Sequence, residues 1–100
     1  MPSPTETLAT LGITLPAPVA PVASYVPFVV AGGLVHVSGQ VPFEDGKVAV
    51  TGHLGAGVSI EDGQRAARIC ALNLLAQAAA AAGGSLDGIA RVVRLGGFVA

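Results

Sequence analysis

Between Val35 and Pro42 the chain reads Val-His-Val-Ser-Gly-Gln-Val-Pro, and no other stretch restricts the fold as much. Leu34, Val35 and Val37 favour a strand, Gly39 admits a backbone conformation that a side chain would forbid, and Pro42 bars continuation as helix. The expectation is a buried strand whose tip presents Ser38 beside a sharp bend. The residues by themselves also fit a plain strand and turn, with Ser38 and Gln40 bonding nearby backbone groups.

Length and composition narrow the setting for that strand. One hundred residues make a single domain, and 52% apolar with 11% charged residues is far from a disordered composition. The net charge is -1, and among the five basic residues only Arg65 and Arg68 lie close together, so no footprint for nucleic acid is expected. The single cysteine, Cys70, excludes an intrachain disulfide; with His36 and His53 as the only imidazoles, neither a metal site nor a cofactor is expected. Met1 to Glu6 lacks the basic start and apolar core of a signal peptide, and the apolar runs are too short or interrupted to span a membrane. A cytoplasmic location is the corresponding expectation.

The order of elements can be read along the chain. Thr5 to Leu11 suits a short helix ended by Gly12, and Pro16, Pro18 and Pro21 enforce an extended arm, so residues 1–24 form a helix and proline-rich arm ahead of a body at 25–100. Val26 to Ala31 and Leu34 to Ser38, separated by Gly32-Gly33, predict a tight hairpin whose turn needs positive φ. Asp45-Gly46 predicts a second hairpin between Val41-Pro42-Phe43 and Val48-Ala49-Val50, followed by a glycine-rich loop from Thr51 to Val58. Ser59, with Asp62 three residues on, opens a helix over about 59–82 that stops at Gly83-Gly84.

At about 100° per residue, Ile60, Ala67, Cys70, Ala71, Leu74, Ala78 and Ala81 make one stripe opposite Glu61, Gln64, Arg65 and Arg68. That stripe is expected to cover a sheet, with Cys70 as a small core residue; Ile69, Leu72 and Leu75 fall outside it and suggest a second contact surface. A final strand over about 91–99, bulged at Gly96-Gly97, would complete a right-handed crossover parallel to an earlier strand. One helix covers only one face of a sheet, so the other face is expected to bury against a further segment or another subunit.

Val37-Ser38-Gly39-Gln40-Val41-Pro42 resembles the signature of the Rid family, the reactive-intermediate deaminases also called YjgF proteins. The entry segment Leu15 to Phe28 is similar to that of the subgroup with an extended N-terminus, and Asp45-Gly46-Lys47, the helix from Ser59, Gly83 to Asp87 and Arg91 to Val99 follow in the family's order. The resemblance runs from about Leu11 to Ala100. It implies an α+β fold of Rid-like (chorismate-mutase-like) type, a mixed sheet covered on one face by helices, assembled as a homotrimer with small-molecule clefts between subunits. It implies hydrolysis of enamine and imine intermediates to 2-keto acids and ammonia without a cofactor, in which an ordered water attacks a substrate held by positioning.

On this resemblance Tyr25, Ser38 and Gly39 are substrate-binding residues, with Tyr25 a cleft wall and Ser38 an orienting group. No catalytic residue is assigned, and a Ser-His hydrolase built on Ser38 and His36 is disfavoured. The family's carboxylate-binding arginine and its acidic residue lie on later strands; Arg65, Arg68, Arg91 and Arg94 belong to other elements. The chain is therefore expected to be about the N-terminal two thirds of a longer member, incomplete at its C-terminus. Tyr25 is flanked by Ala23-Ser24 and Val26-Pro27, where the better-defined deaminases carry Gly-Pro-Tyr. Two readings stay open: an imine deaminase, inactive if it is truncated, and a non-catalytic trimeric module that binds a small metabolite. Some relatives carry an endoribonuclease label, against which the sparse basic charge speaks.

Overall fold

A computed structural model describes residues 2–18 and 24–100; Pro21 of the arm and Ala23 beside Tyr25 lie outside the described residues. The first helix, α1, spans Pro4–Leu11. Ser3 caps it by accepting from the Glu6 N–H, Pro4 sits in the first turn where no N–H is needed, and Gly12 closes it at φ 69°. Such a left-handed C-terminal residue is where glycine avoids the Cβ clash.

Two hairpins follow. β1 (Phe28–Ala31) and β2 (Leu34–Val37) pair antiparallel with Phe28 opposite Val37 and Ala31 opposite Leu34. Gly32 and Gly33, at φ 59° and 77°, supply the two positive values that a type I′ turn requires. β3 (Phe43–Glu44) and β4 (Lys47–Val48) pair around Asp45 and Gly46, again both at positive φ. The stretch expected as a plain loop contains a compact turn in which β5 (His53–Leu54) meets β6 (Gly57–Val58).

The long helix α2 runs Ile60–Ala81, within a residue of the expected limits. The Ser59 hydroxyl accepts from the Asp62 N–H at 3.1 Å, and Gly84, past the end, donates its N–H to the Ala79 carbonyl at 2.7 Å. A short 3-10 turn, Leu86–Gly88, comes next.

The face of α2 that is buried differs from the expected stripe. Ile69, Asn73, Ala76 and Gln77 are buried, whereas Ile60 is 70% exposed and Ala67 and Ala71 are also exposed. The reason is chemical: Asn73 donates its amide to the carbonyls of Phe43, at 2.9 Å, and Val41, at 3.4 Å, so a polar residue occupies the centre of the contact. A stripe drawn from apolar residues alone is rotated away from it. Among the described residues the buried apolar core is Val58, Ile69, Ala76 and Leu86. Cys70 is partly buried, and burial pushes its thiol up from its ordinary value, as suits a small packing residue.

The α+β character is as expected, with α2 packed against β1, β2 and β3. The strands form three two-stranded ladders. The final strand expected over about 91–99 is not formed, and with it go the parallel crossover and the bulge at Gly96-Gly97: residues 89–100 belong to no ladder. Residues 90–100 are exposed; the Ala100 carbonyl accepts from the Leu54 N–H at 2.9 Å. Strand-forming residues make a strand only where a ladder edge receives their N–H and C=O groups. Nor is β2 buried, since its residues alternate between exposed and partly buried.

Candidate functional site

β2 delivers Ser38 just beyond its last paired residue. The Ser38 N–H donates to the Pro27 carbonyl at 2.9 Å, continuing the β1–β2 ladder by one step. Its hydroxyl donates to the Val26 carbonyl at 2.6 Å, and the Gln40 side-chain amide donates to the Ser38 carbonyl at 2.9 Å. Both contacts are the local backbone bonding that a serine and a glutamine at a strand end favour. Together they fix the Ser38 side chain beside the segment that carries Tyr25.

Tyr25 is 46% exposed and next in sequence to Val26, whose carbonyl anchors Ser38. Its ring is a large apolar surface with a polar tip, available on the outside of this chain. The Ser38 oxygen has spent its proton on Val26 and keeps lone pairs to accept from a donor on a ligand. Gly39 departs from expectation: its φ is outside the left-handed region, and a Cβ there would meet nothing within 4 Å. No backbone strain demands glycine at 39 here; the bend is set instead by the bonds around Ser38.

The histidines do not build a catalytic pair with this serine. His36 lies opposite Val29 on the exposed side of β2, and the Ser38 proton points to a carbonyl. His53 is exposed in β5, and no group of three or more metal-ligating side chains occurs among the described residues. Arg65 is paired with Glu44 at 3.1 Å, Arg68 is exposed on α2, and Arg91 and Arg94 lie in the exposed stretch 90–100.

A separate cleft of about 660 Å³ lies between the arm and the body. It is lined by Thr14, Pro16 and Pro18 of the arm, by Phe43, Glu44 and Asp45 at the β3–β4 hairpin and by Ile69 and Leu72 of α2; Tyr25, Ser38 and Gly39 do not line it. Asn73, which also borders it, and Gln77 were not singled out from the sequence. Their signal was available: they are the only amide side chains in the alanine- and leucine-rich second half of α2, four residues apart and so on one face. No side-chain polar atom buried among the described residues lacks a hydrogen-bond partner.

The chain is 49% identical over 92 residues to Protein TCP17 of Trypanosoma cruzi, an alignment covering 92% of this chain and 57% of that protein. The crystal structure of Atu1372, a protein of unknown function from Agrobacterium tumefaciens, superposes with a TM-score of 0.74 at 50% identity, covering 88% of this chain and 53% of the other. A putative endoribonuclease from Shewanella oneidensis superposes with a TM-score of 0.75 at 34% identity, covering 82% and 54%. The chain thus spans little more than half the length of these relatives. The profile described as YjgF/chorismate mutase-like, putative endoribonuclease matches residues 5–100, and by that match, together with the identities above, the chain belongs to the YjgF/chorismate mutase-like family.

Proposed function

We propose that this chain provides the serine and tyrosine wall of a small-molecule site that hydrolyses reactive enamines and imines to 2-keto acids and ammonia. The observation that carries this reading is the anchored Ser38 hydroxyl, held at 2.6 Å from the Val26 carbonyl beside the exposed Tyr25, in a chain of this family. In the proposed reaction, Tyr25 flanks the planar imine and Ser38, through its free lone pairs, accepts from the substrate nitrogen. Backbone groups at Gly39 complete the wall. Water adds to the imine carbon and ammonia leaves, so the site's contribution is placement of a substrate that reacts readily.

A carboxylate clamp completes such a site, and the arginines of this chain are not near Ser38 by element: one is tied to Glu44 and the others sit on α2 or the 89–100 segment. The wall therefore works in an assembly, a homotrimer in this reading, in which the clamp comes from outside residues 24–40. The test couples the purified protein to an amino-acid oxidase and follows loss of the imine. Catalysed decay that falls about tenfold in Ser38→Ala, equivalent to 1.4 kcal/mol of barrier, supports the reading. Decay at the rate of buffer alone refutes it.

A second reading is a binding module without turnover, favoured by the flank of Tyr25, where Val26-Pro27 follows and Gly-Pro does not precede the tyrosine. It predicts a rise in melting temperature with 2-keto acids that Ser38→Ala abolishes, and no rise with any of them counts against it. RNA cleavage is the less favoured reading for this chain, with its net charge of -1 and its Arg65 neutralised by Glu44.

A further inference from the structure

The β1–β2 register continues one step past the last paired residues of the two strands. With Phe28 opposite Val37 and Val29 opposite His36, Pro27 stands opposite Ser38, and the Ser38 N–H donates to the Pro27 carbonyl at 2.9 Å. In an antiparallel ladder the two residues of such a pair exchange both bonds, so the N–H of residue 27 would return to the Ser38 carbonyl. Residue 27 is a proline and has no N–H to return. The pair is half made, and the Ser38 carbonyl is the group left over.

A side chain fills that gap. The Gln40 amide reaches back two residues and donates to the Ser38 carbonyl at 2.9 Å. Ser38 is thereby held at its N–H by Pro27, at its hydroxyl by Val26 and at its carbonyl by Gln40. The first two bonds tie the residue to the β1 side, and the third fixes the peptide that joins it to Gly39. In a planar trans peptide the C=O and the N–H point in opposite directions, so a Ser38 carbonyl held by Gln40 turns the Gly39 N–H away from that amide. Gly39 is exposed, and its N–H donates to no group among the described residues.

We propose that Gln40 is a positioning residue of the serine and tyrosine wall: its amide stands in for the N–H that Pro27 lacks, and by holding the Ser38 carbonyl it aims the Gly39 N–H at the bound substrate. The role at the substrate rests on the reading of that wall given above; the pairing of Gln40 with Pro27 rests on the register alone. Proline at 27 and glutamine at 40 act as a matched pair, so a main-chain donor restored at 27 makes the glutamine dispensable.

The test combines Gln40→Met, which keeps the length of the side chain and removes its donors, with Pro27→Ala, which returns a main-chain N–H opposite Ser38. In amide NMR of the full chain, Gln40→Met should move the Gly39 resonance and leave those of α2 in place, and the Pro27→Ala/Gln40→Met double variant should bring the Gly39 resonance back. In imine decay, kcat/KM should fall about tenfold in Gln40→Met and recover to within about twofold of wild type in the double variant. A Gly39 resonance unmoved by Gln40→Met, one that moves together with α2, a double variant no closer to wild type than the single one, or an active wild type whose kcat/KM the Gln40→Met change leaves as it was would each overturn the proposal. Wild-type decay at the rate of buffer refutes the hydrolytic reading instead, and the Gly39 resonance with its return in the double variant then decides the positioning role.

Discussion

Ser38 owes its position to main-chain carbonyls, and Asn73 owes its burial to two others, so at the scale of single residues the informative side chains are those that bond backbone. Asn73 is 2% exposed, and truncating it removes the side-chain donor to the Phe43 carbonyl, while the Val41 carbonyl keeps the Phe43 N–H at 2.7 Å. We expect Asn73→Ala to lower unfolding stability by about 1–3 kcal/mol, read from urea melts at constant slope. Ser38→Ala removes one exposed contact and should cost under about 1.5 kcal/mol, so a large loss of activity in that variant reports the site and not the fold. The sequence disclosed Ser38 because its neighbours form strand; it concealed Asn73, because an apolar count treats an amide as surface. Gly39 was over-read: nothing around it requires the absence of a side chain.

Elements were legible wherever local chemistry decides them. Both hairpins have the positive-φ pairs that Gly32-Gly33 and Asp45-Gly46 announce, and α2 starts and stops at its serine cap and glycine pair. Gly33→Ala should destabilise the hairpin by about 1 kcal/mol, since alanine is strained at φ 77°. The orientation of α2 was not legible, and a pair of variants measures it. Ile69→Ala, at the buried face, should cost about 2–4 kcal/mol, while Ile60→Ala, at the 70% exposed start of the helix, should stay within about 0.5 kcal/mol. The docking of α1 carries a pH signature. The Asp87 carboxyl is held below its ordinary value of 3.8, first by the Thr5 N–H and then by its hydroxyl. A depressed carboxyl contributes fully above its unfolded value and loses that contribution as pH falls through the folded one. Exchange in α1 should therefore accelerate relative to α2 only below about pH 4.

At the scale of the whole molecule, the chain exposes more than its mass warrants. Its accessible surface is 7134 Å², whereas a compact monomer of 9.8 kDa exposes about 5,200 Å². Its radius of gyration of 14.3 Å likewise exceeds the roughly 13 Å usual for 100 residues. Much of the excess is apolar: Val29 and Val30 on β1, and Val92, Val93, Leu95, Phe98 and Val99 beyond the 3-10 turn. Surface of that kind drives association, and sedimentation across about 1–100 µM should show mass rising with concentration, a rise that Leu95→Lys with Phe98→Lys suppresses. No helix among the described residues is long and apolar enough to cross a membrane, so this apolar surface is not a helical span. By itself the sequence determined the turns, the caps, the strand end at Ser38 and the family, because each follows from contacts within a few residues or from a local motif. Only the tertiary structure decided which face of α2 is buried, that residues 91–99 go unpaired, and that Thr5 meets Asp87. Those outcomes depend on partners distant along the chain; the periodicity of α2 offers both the alanine stripe and the surface at Ile69 and Leu72 and does not choose between them.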